Sequence, residues 1–471
     1  MQFLHAIIDL GPSVMLPLIV MVLGLLLRHG IGKSVWAGLT VGVGFVGISM
    51  VISLLTETMG PAAQSMADRF GLTLTVIDVG WPGSAPMAWA TTMGLLAIPI
   101  AIVVNILMLI ARMTNVINVD IWNIWHLGFT GAIVHIATGS LLLAGLAVAV
   151  HAAISYKLGD IFSPVTDKYF HLEGIAMPHG SPVLMGLIAV PVEDLIEHTP
   201  GLRRINVSSE KMTERLCPLG RPVVIGAVLG LLIGFLAGYP VGEAATLAIR
   251  MGAVIVLMPM VVQLIVNGMV PIAKTAEGVL QRRFNNPAYR IGMDPALLLA
   301  DPQVVSAGIL FVPLTLLIAV VVPGNVVLPF GDLATIAFFV AIAVGIHHGN
   351  IFRTLISGTV IMAGTIWISS HMVDLQTRLA TDTGLLGNAD RVASLDRGGN
   401  PVTYVLANLL SGRVGAGVIV VLVLMVLAFG YSFLKYRRGT LFTPREGDPA
   451  APDPDAAHRP AEKPAADGSA A

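Results

Sequence analysis

A membrane-crossing helix needs about 20 mostly apolar residues in a row, and this chain offers such runs repeatedly. They lie at residues 11–27, 35–55, 91–111, 127–150, 222–238, 248–270, 304–323, 333–348, 354–370 and 415–434, with a shorter proline-containing run at 182–196. Hydrophobic residues make up 55% of the 471 positions and charged residues only 12%. A soluble domain carries about 25% charge. A chain this apolar cannot cover a water-facing surface, so the bilayer is its solvent. The expectation is an all-α polytopic membrane protein of roughly nine to eleven crossings.

Several function classes drop out. No basic block suggests a nucleic-acid partner. One cysteine, Cys217, permits no intrachain disulfide and no thiolate metal cluster. No phosphate-cradling Gly-x-x-x-x-Gly-Lys-Ser/Thr loop is present, and no Ser or Cys stands in an arrangement that would activate it. No metal and no cofactor are expected. Energy for transport must come from an ion gradient or from partner proteins, and composition does not choose between them. The N-terminus has neither a basic n-region nor a small-residue cleavage site, so no cleaved signal peptide is expected.

The segments between the apolar runs are unequal. Residues 197–219 (with Arg203, Arg204, Lys211 and Arg215) and 274–302 (with Lys274, Arg282, Arg283 and Arg290) read as basic aqueous loops on the cytoplasmic side. Lys435, Arg437 and Arg438 place the C-terminus there too. Residues 1–440 form the membrane domain, and the Ala/Pro/Asp-rich residues 441–471 form a disordered cytoplasmic tail. Residues 371–413 read as a long loop of mixed charge. Segments 60–90, 158–182 and 323–333 are too polar for lipid and too apolar for water. Non-helical backbone at membrane depth survives only where protein or a hydrated cavity satisfies its polar groups. These segments therefore read as re-entrant hairpins or broken helices.

Polar residues inside membrane segments cost about 2.5–3.5 kcal/mol each on insertion scales and tend to face cavities. In VIDVGWPGSAPMAW (76–89), Asp78 precedes a helix break at Trp81-Pro82-Gly83-Ser84, whose freed N–H groups can meet a ligand hydroxyl. An interfacial turn with a Trp anchor is the bland alternative. In DIWNIWH (120–126), Asp120, Trp122, Asn123 and His126 cluster on adjoining helix faces. Carboxylate and amide suit vicinal hydroxyls, and an indole suits the C–H face of a polyol. An interfacial helix start explains them as well, with Asp120 on the helix dipole. In HLEGIAMPHG (171–180), Glu173 and His179 flank a Pro-Gly break, and His can both donate to and accept from a hydroxyl. In PGNVVLPFGDLATI (323–336), Asn325 and Asp332 sit at the tips of discontinuous helices, where Asp332 can also be an N-cap. In GIHHGN (345–350), adjacent His residues point to different faces and make poor joint metal ligands.

The first four of these stretches, together with KLGD (157–160), PIAK (271–274), IGMDPALLL (291–299) and FRTLISG (352–358), resemble the membrane (IIC) components of galactitol-specific phosphotransferase systems. The resemblance runs from about residue 5 to about residue 440. It implies a multi-pass permease of the bacterial inner membrane that takes up a hexitol such as galactitol. Separate IIA and IIB proteins would work with it, and HPr indirectly. Phosphate would reach the substrate from a IIB cysteine, with no phosphorylated residue on this chain. It also implies a homodimer, with a scaffold and a mobile, elevator-type core bearing re-entrant hairpins. By position it points to Asp332, His179 and the Trp81–Ser84 break as substrate contacts. A carboxylate or His near the reacting hydroxyl can serve as general base, and Asp332 and His179 are the candidates. The rival class is a proton-coupled polyol transporter with Asp and His as relay groups, or a sugar sensor that moves nothing.

Overall fold

The computed structural model describes residues 12–26, 30–71, 73–120, 124–207, 221–283 and 289–443. The first part of the chain forms α1 (Pro12–Leu26), α2 (Ile31–Phe70), β1 (Val76–Asp78), α3 (Gly80–Trp89), α4 (Thr92–Ile110) and β2 (Val116–Asn118). Next come α5 (Trp125–Thr138), α6 (Leu141–Lys168), β3 (Ile175–Ala176), α7 (Pro182–His198), α8 (Pro222–Leu236) and α9 (Val241–Arg283). They are followed by β4 (Arg290–Gly292), α10 (Pro302–Val321), β5 (Val327–Leu328), α11 (Ala337–Ile346) and α12 (Ile351–His371). The chain ends with α13 (Val373–Asp382), β6 (Val392–Ala393), α14 (Leu395–Gly398), α15 (Pro401–Leu410) and α16 (Ala416–Arg437). Seven helices among the described residues are long and apolar enough to cross a membrane: α2, α4, α6, α9, α10, α12 and α16. The protein is an all-α polytopic membrane protein, and its few strands are two or three residues long.

Where the observed elements differ from the sequence reading, local chemistry gives the reason. The apolar run 127–150 is two helices. Gly139 closes α5 at φ 70°, and Ser140 opens α6 by accepting the Leu143 N–H at 3.3 Å. The run 333–348 is a 3-10 turn and then the ten-residue α11. Ten residues rise about 15 Å, half the hydrocarbon thickness. The basic stretch expected as a loop from 274 is helical as far as Arg283, because Lys, Glu, Gln and Arg are good helix formers that carry α9 onward.

The largest departure is 371–413. In place of a loop it carries α13, β6, α14 and α15, with Ser394, Asp396, Arg397, Asn400 and Thr403 buried. Asn400 caps α15 by accepting the Thr403 N–H at 3.1 Å, and Pro401 takes the first helical position. The packed body continues through Leu441 and Phe442, both buried, with the Phe442 ring stacked on His348 at 4.5 Å.

Helices α1, α2, α8 and α9 pack on one another as one group. A stripe of Gly226, Gly230 and Gly234 on α8 lets the backbone of α9 come close: a methyl group on Gly230 would lie 2.8 Å from the Ala248 Cα. The remaining helices form a second group around the chain breaks. Two parallel three-stranded sheets tie the breaks together, in the orders β5-β1-β6 and β2-β4-β3. Each strand supplies the hydrogen bonds that a broken helix gives up.

Candidate functional site

The sheet β5-β1-β6 brings the segment at 76–78 together with two segments around 327 and 392, roughly 250 and 315 positions later. Val76 pairs with Val327, Ile77 with both Leu328 and Val392, and Asp78 with Ala393. Beyond the strands the chain turns into α3, a 3-10 turn at Leu333–Thr335 and α14, and backbone N–H groups without helical partners collect there. Asp78 sits among them and is fully buried. Its Oδ1 accepts from Gly80 N at 2.9 Å and Leu395 N at 3.1 Å. Its Oδ2 accepts from Phe330 N at 3.1 Å and Asp332 N at 2.9 Å. Four N–H donors use the whole acceptor capacity of a carboxylate. Asp78 is thus a clamp joining the three breaks.

The crossing of the first two breaks is tight. Gly80 has φ 67°, and a methyl group on it would lie 2.5 Å from the Gly331 carbonyl carbon. Only glycine meets both the left-handed conformation and the close backbone approach. Asp332 adds a second clamp. Its Oδ1 accepts from Trp81 N at 2.8 Å, and its Oδ2 accepts from Asp396 N at 2.8 Å and Ser394 Oγ at 3.4 Å. Ser84 Oγ contacts Gly80 O at 3.0 Å and Ser394 Oγ at 3.2 Å.

Against this junction lies a cavity of about 260 Å³. Trp81, Trp125, Phe338 and Phe339 give it flat apolar walls. His126, His179, Asp332, Thr335 and Asp396 supply its polar groups. Gln263 reaches it from α9 in the other helix group, and Asp294 from the turn after β4. The two imidazoles meet edge to face, with ring centres 3.9 Å apart. His179 Nδ1 accepts the Ser181 N–H at 3.2 Å, which assigns the ring proton to Nε2. Aromatic faces with a few converging donors and acceptors are what a polyol needs: apolar C–H edges on rings and hydroxyls on polar groups.

The expected site residues fall into three sets. Trp81, His126, His179 and Asp332 line the cavity. Asp78, Ser84 and Asn325 are buried in the junction beside it. Asn325 holds its own turn, donating to Ala319 O at 2.8 Å and Val327 O at 2.9 Å while accepting from Val327 N at 2.9 Å. Asp120 lines a smaller void of about 10 Å³ that shares the His126 and His179 walls. Glu173 is exposed in the turn before β3 and does not reach the cavity. Trp122 and Asn123 lie outside the described residues, as do Lys211, Arg215 and Cys217.

Sequence reading passed over Thr335, Asp294, Gln263 and, above all, the Ser394–Arg397 segment. The signal for the last was present: Ser-Leu-Asp-Arg-Gly-Gly-Asn-Pro at 394–401 is another break flanked by apolar residues. Asp396 Oδ1 accepts from Arg397 Nη2 at 2.9 Å and from the Ser181 hydroxyl. The Arg397 guanidinium is fully buried and lies 5.7 Å from the Trp125 ring centre. The motifs FRTLISG and GIHHGN belong to a separate ion cluster. There, His347 bridges Glu193 (2.7 Å) and Ser357 (2.8 Å), and Arg353 pairs with Glu193 (2.6 Å) and Glu197 (2.5 Å).

Comparison with known proteins agrees with this architecture. Residues 6–390 match the family described as PTS system sugar-specific permease component. The chain is 50% identical over 445 residues to the PTS system galactitol-specific EIIC component of Escherichia coli K12, covering 94% of this chain and 98% of that relative. The protein of the same description from Escherichia coli O157:H7 matches equally. A putative permease IIC component of Escherichia coli K12 is 35% identical over 426 residues, covering 90% of this chain and 97% of that protein. With the match extending over most of its length, the chain belongs to the family of phosphotransferase-system sugar-specific permease (IIC) components.

Proposed function

We propose that this permease binds galactitol or a closely similar hexitol in the cavity between Trp81 and Trp125 and presents it for phosphorylation during uptake across a bacterial inner membrane. The observation that carries the reading is the cavity itself: indole and phenyl walls with Asp332, Asp396, His126 and His179 around them, at the meeting point of three broken segments. The full-length relative at 50% identity, described as galactitol-specific, supports the hexitol in particular. His179 Nε2–H donates to one hydroxyl, the carboxylates accept from others, and the rings cover the C–H edge. Asp332 orients the Trp81 backbone and the Asp396 backbone around the substrate. The phosphoryl group comes from a phosphocysteine on a separate IIB protein, itself supplied through IIA and HPr. The protein works as a homodimer in which α1, α2, α8 and α9 are the scaffold and the second helix group is the moving core.

The test uses inverted membrane vesicles containing this protein, with purified enzyme I, HPr, IIA, IIB and phosphoenolpyruvate. Labelled galactitol should become galactitol phosphate only when both phosphoenolpyruvate and this chain are present. Phosphorylation of another polyol alone would keep the mechanism and change the substrate. Uptake driven by a proton gradient, with no phosphorylated product, would overturn the reading in favour of a secondary transporter.

A further inference from the structure

We infer that Asp396 is the catalytic base of the phosphoryl transfer, held in place by Ser181 and Arg397; the inference rests on the hexitol-phosphorylation reading above. It follows from counting what each carboxylate near the cavity already accepts. Asp78 takes four backbone N–H groups and has nothing left. Asp332 takes two backbone N–H groups and a hydroxyl, shared over both oxygens, and is fully buried. Asp396 differs from both. Its two hydrogen bonds, from Ser181 and Arg397, fall on the same oxygen, Oδ1. Among the described residues Oδ2 has no donor, and Asp396 is a wall of the cavity.

The arrangement suits a base. One oxygen is anchored by a hydroxyl and a guanidinium on two different elements, which leaves the other oxygen without a donor among the described residues. Arg397 is itself fixed, buried against the Trp125 ring that lines the same cavity. In the reaction, a hexitol hydroxyl oxygen bonds to phosphorus while the bond from phosphorus to the donor cysteine sulfur breaks. The sulfur leaves with the electron pair as a thiolate, and the hydroxyl proton goes to Asp396 Oδ2. A positioned base of this kind contributes about 10²–10⁴-fold. Ser181 and Arg397 are positioning residues, acting through Asp396.

The substitution Asp396→Asn separates this role from a structural one. Both existing hydrogen bonds fall on Oδ1, which an amide oxygen reproduces, so only the charge and the basic oxygen are lost. In the vesicle assay the variant should bind labelled galactitol within about threefold of the parent, because an amide still hydrogen-bonds a hydroxyl. Its turnover should fall about 10²–10⁴-fold. Turnover within about tenfold of the parent would overturn the inference. Should the variant fail to reach the membrane, Ser181→Ala decides. It removes one anchor from Oδ1 and should lower kcat with KM unchanged, whereas a raised KM with unchanged kcat would assign Asp396 to binding alone and overturn the inference. A parent protein that phosphorylates no polyol would refute the function proposed above instead, before any variant is compared.

Discussion

Replacing Asp78 by Asn tests whether the junction is a clamp. The wild-type carboxylate receives two N–H groups on each oxygen, from three segments: Gly80 and Leu395 on one, Phe330 and Asp332 on the other. An asparagine has nearly the same shape but one donor NH₂ in place of an oxygen. Whichever way the amide turns, two buried backbone N–H groups lose their acceptor and face another donor. Leaving a buried donor unsatisfied costs about 1–3 kcal/mol, so the pair costs about 2–6 kcal/mol. That is a large part of a typical folding margin of about 5–15 kcal/mol. At roughly 2 °C per kcal/mol for a large cooperative unit, the melting midpoint of detergent-purified protein should drop by about 4–12 °C. The assay is the midpoint for loss of the monodisperse size-exclusion peak after heating, run on parent and variant in the same detergent. A midpoint within about 2 °C of the parent would refute the lone-pair accounting, since it would show that the four N–H groups have other acceptors.

Asp332→Asn should abolish phosphorylation while the protein still reaches the membrane, because a NH₂ group then opposes either the Trp81 or the Asp396 N–H beside the cavity; near-normal turnover would remove Asp332 from the site. Gln263→Leu should raise KM for the hexitol about 5–10-fold with little change in kcat, since it deletes one cavity hydrogen-bonding group from a helix that carries none of the proposed chemistry; an unchanged KM would place the substrate away from α9. Arg353→Met should sharply reduce accumulation in the membrane, because it removes the buried guanidinium that pairs with Glu193 and Glu197, at a cost of about 3–5 kcal/mol. Adding Glu193→Gln should recover part of the loss, and a double variant no better than the single one would show that the cluster is not coupled.

How much of this was legible in the chain depends on how far each interaction reaches. The apolar runs at 91–111, 304–323, 354–370 and 415–434 became α4, α10, α12 and α16 because the need for about 20 apolar residues is local and written in composition. The Gly139-Ser140 break was equally local, a left-handed stop followed by a cap, but hydropathy over a long window averages across it. The polar tips around Trp81 and Asp332 stood out because polar residues are rare in such surroundings. Their roles did not. Asp78 reads as a ligand for substrate when only its neighbours in sequence are considered, and it becomes a structural clamp once Phe330 and Leu395, more than 250 positions away, are seen to donate to it. The segment 392–400 was harder still. Asp396 and Arg397 look like the charges of an aqueous loop, since charges in sequence are counted one by one. Folded, they pair with each other and with Ser181 from the far side of the core, and the pair can then be buried. Hydropathy therefore locates the lipid-facing parts of such a permease well and its reaction centre badly. The centre consists of polar groups whose partners are distant in sequence, and the same polarity that makes it chemically capable makes it look, residue by residue, like a loop.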